Sequence, residues 1–277
     1  MVLQRVFAIR KHPVIRARMQ SAIKRMNVLG VGVSIEDIDK ATEAILGVAE
    51  REERGYVAFL AVHGIMEAYR DAALRRIFNR ALLCNPDGMP LTWIGRLQGF
   101  RDIRRVYGPD LMLRVCERSQ NRPFRHFLFG GKPGVAEKLQ QGLRARFPGI
   151  QIAGTYTPPF RPLEEEDWRD LTAQVQTVCP HFFWVGISTP KQEKFMAEAL
   201  RRELPCNVLL GVGAAFDFHS GCVRQAPRWM MQSGLEWFFR LTQEPRRLWR
   251  RYLILNPWFV WLFLLQRTGL RRFRLED

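Results

Sequence analysis

The chain has 277 residues, 47% of them hydrophobic, with 43 Lys and Arg against 27 Asp and Glu, for a formal charge of +16. That apolar fraction is enough to bury a core, which excludes a wholly disordered chain, and nothing in the composition supports collagen, coiled coil or low-complexity sequence. The five cysteines (Cys84, Cys116, Cys179, Cys206, Cys222) form no C-x-x-C pair. Reduced, cytoplasmic thiols are therefore expected, with neither a disulfide framework nor a zinc site.

The charge is concentrated at the two ends. Residues 1–27 hold seven basic residues and no acid, and residues 224–277 hold eleven Arg and four acids. Each end carries +7, which leaves +2 for everything between. Basic ends on a near-neutral middle suit an anionic surface, either nucleic acid or the inner leaflet of a membrane. Stretch 1–27 contains no apolar run of signal-peptide length and reads as a basic arm, either an amphipathic helix or a loose segment.

From residue 28 onward, short apolar runs predict buried strands at 56–62, 81–84, 124–129, 150–153, 182–185 and 207–211. Helical spacing falls between most of them, at 66–80, 90–97, 109–119, 135–147, 164–178 and 191–204. Alternating strands and helices, with the strands apolar throughout, predict a Rossmann-like α/β domain: a parallel sheet covered on both faces. Ligands of such sheets bind beyond the carboxyl ends of the strands. The loops there are Asn85-Pro86-Asp87-Gly88-Met89-Pro90, Gly130-Gly131-Lys132-Pro133-Gly134, Gly186-Ile187-Ser188-Thr189-Pro190-Lys191-Gln192-Glu193 and Gly211-Val212-Gly213-Ala214-Ala215-Phe216-Asp217. Four strand ends thus deliver glycine and polar groups to one edge.

Segment 224–277 is different. It holds five of the eight Trp (Trp229, Trp237, Trp249, Trp258, Trp261), all its basic residues are Arg, and no strand pattern remains. Its uncharged run 253–265 is 13 residues long and broken by Asn256-Pro257, whereas about 20 apolar residues are needed to span a bilayer. Flanked by Arg and Trp, the run suits a helix lying in the membrane interface, and packing on the sheet is the alternative. The chain divides on this reading into a basic arm (1–27), an α/β domain (28–225) and a helical C-terminal appendage (226–277).

Several loop residues have two readings. The Gly130-Gly131 turn entering a helix offers N–H groups to an anion such as a diphosphate, or is an ordinary strand–helix turn. A nicotinamide site is poorly supported, because the spacing is not G-x-G-x-x-G, and no Walker lysine precedes Ser or Thr. Asp87, directly after a buried strand, is either a partly desolvated general base or a cap for the next helix. Lys191 could hold a phosphate and Gln192 a sugar hydroxyl, or both could be solvated. Asp217 lies between two Phe and needs a partner if buried. His63 and His219 have no metal-ligand spacing, no Asp-x-Asp follows a strand, and Asp37-Ile-Asp39 falls in a helical acidic stretch. No metal site is expected.

Taken in order, Pro86-Asp87-Gly88-Met89-Pro90, Arg105-Val-Tyr-Gly-Pro-Asp-Leu-Met112, Phe129-Gly-Gly-Lys-Pro-Gly134, Pro190-Lys-Gln-Glu193, Gly211-Val-Gly-Ala-Ala-Phe-Asp217, Arg224-Gln-Ala-Pro-Arg-Trp229 and Leu235-Glu-Trp-Phe-Phe-Arg-Leu-Thr-Gln-Glu-Pro-Arg-Arg247 resemble the WecG/TagA/CpsF glycosyltransferases. The resemblance runs from about residue 29 to about residue 252. It implies inverting transfer of a sugar from a UDP-sugar to a polyprenyl-diphosphate-linked saccharide, with no cofactor or metal. Such transfer serves exopolysaccharide, capsule or a related bacterial surface polymer. By the resemblance Asp87 is the catalytic base. Substrate-binding candidates are His63, Gly130, Gly131, Lys191, Gln192, Gly213 and Asp217, with Arg240, Arg247 and Arg250 from the appendage. The implied place is the cytoplasmic face of the cell membrane, reached through the appendage; a second copy could cover its apolar residues, and no nucleic-acid partner is implied. One departure is Ala61, where the family usually has Asn. It removes a polar contact, and is the best argument for the alternative of a non-catalytic scaffold in a polysaccharide assembly complex.

Overall fold

The computed structural model describes residues 23–275; the expected basic arm lies, up to residue 22, outside the described residues. The chain opens with an antiparallel hairpin, β1 (Arg25–Val28) and β2 (Val31–Ser34), followed by helix α1 (Ile38–Glu50). Asp37 starts this helix by accepting the Lys40 N–H at 2.8 Å. Its apolar face (Ala41, Ile45, Val48, Ala49) is fully buried.

Six strands then form one parallel sheet: β3 (Gly55–Leu60), β4 (Leu83–Pro86), β5 (Arg125–Gly130), β6 (Gln151–Tyr156), β7 (Phe182–Gly186) and β8 (Val208–Gly211). Their order across the sheet is β4-β3-β8-β7-β5-β6. Each expected strand is present, with its ends shifted by at most three residues. Alternation explains why the runs read as continuously apolar. In β7, Phe183 and Val185 face one core cluster while Phe182 and Trp184 face the other, so neither side of that run faces water. Within these layers Phe127 stacks on Phe183, and Phe129 on Phe195 at 4.3 Å between ring centres.

The connecting helices are α2 (Val62–Arg70), α3 (Ala72–Arg80), α4 (Met89–Leu97), α5 (Gly108–Ser119), α6 (Val135–Arg146), α7 (Glu165–Val178) and α8 (Lys191–Arg201). One expected helix, 66–80, is two. Asp71 breaks it, accepting the Ala73 and Leu74 N–H groups as the cap of α3. His126, fully buried, has a structural role. The Trp184 indole N–H donates to its Nδ1 at 3.1 Å, which leaves Nε2 to carry the proton toward Ser119 Oγ at 3.0 Å, and burial holds its pKa down to about 3.

The C-terminal part contains α9 (Ala215–His219), α10 (Arg228–Gln232), α11 (Glu236–Gln243), α12 (Pro245–Trp249), a π-helical turn (Arg250–Leu255) and α13 (Asn256–Arg267). The run 253–265 has two faces. Leu255, Phe259, Leu262 and Phe263 are buried in the same core cluster as the hairpin and α2, while Leu253, Ile254, Trp258 and Trp261 are about half exposed. Gln266 fastens α13 to the hairpin by accepting the Leu29 N–H at 2.9 Å and donating to Asn27 O at 3.0 Å. No helix among the described residues is long and apolar enough to cross a membrane.

Candidate functional site

The register of the edge pair places the site. Leu60 pairs with Pro86, so Ala61 and Asp87 leave the sheet side by side at the carboxyl ends of β3 and β4. The Asp87 and Gly88 N–H groups both donate to Leu60 O, at 2.9 and 3.3 Å, which fixes the turn. The Asp87 carboxylate does not cap α4, whose first residue follows Gly88 with no side-chain cap. Its Oδ1 instead accepts the Gly108 N–H at 2.9 Å, one of the unpaired donors at the start of α5. The Arg105 guanidinium donates through Nε to Asp87 O at 2.5 Å. Burial pushes the Asp87 carboxyl above the usual carboxylate range, against the pull of Arg105.

A cavity of about 120 Å³ opens on Asp87, walled by residues 61–63 and 87–90 and by Arg105. Its roof is the C-terminal segment: Met231, Gly234, Glu236, Trp237, Arg240, Arg251, Tyr252 and Asn256. Sites for drug-sized ligands run to about 300–1,000 Å³, so this cavity is small beside them. Ala61 lies in the wall against Gly88, where an added Cβ would stand 3.3 Å from its own. Ala61 also begins α2 without a side-chain cap, so the small side chain provides neither cap nor polar contact.

Of the expected binding residues, His63 and Arg240 line this cavity. His63 has Nδ1 3.7 Å from Glu67 Oε1, and burial with the nearby Arg251 charge lowers its pKa to about 3, so the ring is neutral. Arg250 lies outside, exposed over the Trp249 ring at 5.3 Å. Arg247 is exposed and paired with Glu244. The second arginine that enters is Arg251, which the sequence places only among the basic flanks of the interfacial run; burial lowers its pKa. Arg250 and Arg251 are the first two residues of the π turn and face different ways, Arg250 to solvent and Arg251 into the cavity. Arg105 and Glu236 are the other additions. Both stand inside quoted motifs, and only their contact with one another shows what they do.

The remaining candidates follow the strand order away from Asp87. Gln192, 3% exposed, donates from Nε2 to Gly211 O at 2.7 Å and to Glu193 Oε1 at 3.0 Å, and its Oε1 has no hydrogen-bond partner. Gly213, with φ +53°, lies beside that oxygen; a Cβ there would meet it at 3.4 Å. Asp217 is half-buried, raised in pKa by burial and opposed by Lys132, Arg247 and Arg240. Lys191 is exposed, with Nζ 5.2 Å from the Phe160 ring. Gly130 and Gly131 end β5, four strand positions from β4, or roughly 19 Å at normal strand spacing. Gly130 packs backbone to backbone on Gly186, where a Cβ would lie 2.6 Å from Gly186 O, and the Gly131 N–H donates to that same oxygen at 3.1 Å. That amide is therefore already bonded within the protein.

No group of three or more His, Cys, Asp or Glu among the described residues is arranged to hold a metal ion. An N-acetylglucosaminyldiphosphoundecaprenol N-acetyl-beta-D-mannosaminyltransferase of Bacillus subtilis is 33% identical over 168 residues, 61% of this chain and 63% of the relative. A protein of the same name from Bacillus spizizenii is 29% identical over 187 residues, 68% of this chain and 70% of the relative. The chain thus spans a little under two thirds of the first relative's length. The sequence profile described as the glycosyl transferase WecG/TagA/CpsF family matches residues 26–273, nearly the whole chain, and the chain belongs to that family.

Proposed function

We propose that this chain transfers a sugar from a UDP-sugar to a polyprenyl-diphosphate-linked saccharide, with inversion at the anomeric carbon and Asp87 as general base. The observation that carries the reading is the Asp87 carboxylate, held by the α5 N-terminus in a small cavity whose roof supplies Arg240 and Arg251. The acceptor hydroxyl oxygen forms the bond to C1 and passes its proton to Asp87. The C1–O bond to the diphosphate breaks on the opposite face, and UDP leaves with the electron pair. A carboxylate raised in proton affinity is the better base, and guanidinium groups neutralise the charge that develops on the leaving diphosphate.

Gln192 Oε1, unbonded within the protein, is the proposed acceptor for a sugar hydroxyl. Lys191, Gly213 and Asp217, with the 130–134 turn, are proposed for the far part of the donor, and Arg247 and Arg250 for the approach from the rim. Both relatives are named as N-acetylmannosaminyltransferases, which makes UDP-N-acetylmannosamine the first donor to assay, ahead of UDP-glucose. An exopolysaccharide, capsule or related surface polymer is the context this reading implies.

Residues 28–225 act as the transferase domain and residues 226–277 as an appendage resting on the inner face of the cell membrane. Supporting this are the half-exposed Trp258 and Trp261 and an apolar groove of about 480 Å³ lined by Arg70, Leu253, Ile254, Leu255, Pro257, Trp258 and Trp261. Flotation with anionic vesicles at low and high salt tests the attachment, and a second copy covering the same face would show as a dimer by light scattering. The catalytic reading is tested by UDP release in the presence of a lipid-diphosphate-linked N-acetylglucosamine. Asp87→Asn keeps the acceptor for the Gly108 N–H and removes the base, so it is expected to bind donor and not turn over. Normal turnover by that variant overturns the assignment.

A further inference from the structure

We propose that Glu236 is a positioning residue: it holds the Arg105 guanidinium away from the Asp87 carboxylate, so that Asp87 is a strong base only while the C-terminal segment is seated over it. This rests on the reading of Asp87 as the base.

Arg105 lies beside Asp87, yet its donors go elsewhere. Nε donates to the Asp87 backbone oxygen at 2.5 Å, Nη1 to Met231 O at 3.3 Å and Nη2 to Glu236 Oε2 at 2.5 Å. Its Cζ lies 4.2 Å from the centre of the Tyr107 ring, and the Tyr107 hydroxyl donates to the other Glu236 oxygen at 3.3 Å. A guanidinium this close to a carboxylate ordinarily pairs with it through two parallel bonds. Such a pair would favour the ionised carboxylate and weaken it as a proton acceptor. In this structure Glu236 takes the place of Asp87 in the pair. Both side chains of the Arg105–Glu236 pair are 15% exposed, so the contact is poorly screened by solvent.

The pairing depends on the C-terminal segment. Met231 and Glu236 belong to α10 and α11, and no residue before 226 holds Nη1 or Nη2 among the described residues. The C-terminal segment forms half of the lining of the small cavity at Asp87, and on this proposal it lifts as substrate enters. On lifting, Glu236 and Met231 O leave Arg105, whose freed Nη donors can then turn to the Asp87 carboxylate. Reseating the segment restores the base and covers it in one movement. The other charged or titratable groups facing Asp87 are Tyr107, Arg240 on α11, Arg251 in the π turn and neutral His63 on α2. Arg240 lowers the Asp87 pKa, whereas Glu236 raises it.

The test needs no substrate. In the full chain carrying carboxyl-¹³C aspartate, the Asp87 resonance is assigned by its loss in Asp87→Asn and titrated. Wild-type Asp87 is expected to titrate above an ordinary Asp, and Glu236→Gln to move it down by about one pH unit. Glu236→Asp, which keeps the charge on a shorter arm, is expected to move it less in the same direction, and is read instead if circular dichroism shows Glu236→Gln unfolded. An Asp87 that titrates at the same pH in wild type and variant overturns the proposal, as does a wild-type value in the ordinary range. In either case Asp87 as base still stands or falls on Asp87→Asn turnover. If Glu236 only anchors the segment, the variant gains protease sensitivity after residue 226 while the titration stays in place.

Discussion

The sheet and the C-terminal segment are both rich in aromatics and use them in opposite ways. In β5 and β7, Phe127, Phe129, Phe182, Phe183 and Trp184 are almost wholly buried and stack in layers. In the C-terminal segment Phe259 and Phe263 are buried, whereas Trp229, Trp249, Trp258 and Trp261 stay substantially exposed. A folded chain gains nothing in water from exposed Trp, and contiguous patches of this kind mark interaction surfaces. The sheet places the carboxylate; the segment supplies the roof and arginines and turns its remaining apolar side outward.

That contrast can be broken experimentally. The largest effect is expected where the two regions meet: Asp87→Asn should lower turnover by about 10³-fold or more with an unchanged melting temperature, and a shifted melting temperature would mean the carboxylate also holds the fold. Next is deletion of the segment. Cutting at about residue 226 removes six large buried apolar side chains, Met231, Leu248, Leu255, Phe259, Leu262 and Phe263, each worth about 1.5–3 kcal/mol of burial. The shortened chain should therefore lose stability as well as activity; full stability by urea titration would make the segment a true add-on. Trp184→Ala in the sheet should cost about 3–5 kcal/mol in the same measurement.

A smaller effect separates charge from packing. Glu36, fully buried, has its pKa raised by burial to about 8 against the opposing pull of Arg25 and Ser34. A carboxyl raised above its unfolded value contributes fully below about pH 4.5, and that contribution is lost as the pH rises through 8. Glu36→Gln should therefore flatten the fall in stability between these limits and be more stable than wild type at pH 8 by about 1–3 kcal/mol. A parallel pH profile in the two proteins would show Glu36 ionised and paired. Last, Trp258→Ala with Trp261→Ala should leave stability within about 0.5 kcal/mol and reduce flotation with anionic vesicles. Unchanged flotation would send the attachment elsewhere.

Much of this was legible in the sequence, for local reasons. Six strands stand out as short, mainly apolar runs, four of which end in Gly or Pro, and Asp87 because it follows one of them. The β1–β2 hairpin was not legible: its strands are four residues each, and the first begins inside the stretch that reads as basic. Arg25, counted there as charge for an anionic partner, in fact donates to Asn79 O, Ala81 O and Leu82 O at 3.1, 2.5 and 3.0 Å. The run 253–265 shows apolarity without showing that one face packs on the hairpin while the other stays exposed.

By itself the sequence determined the period of each element, the class of the sheet, the loops that gather at its carboxyl edge and the family motifs they carry. These come from short-range rules, the alternation of side chains along a strand and the spacing of turns around a helix. Tertiary structure alone decided which of those loops share a cavity and which lie four strands away. It decided that Arg251 rather than Arg250 reaches the cavity at Asp87, since that depends on how the C-terminal segment packs over the sheet edge. It also joined Arg105 to Glu236, 131 residues apart in sequence, because such a contact depends on how separate elements pack and has no local signature.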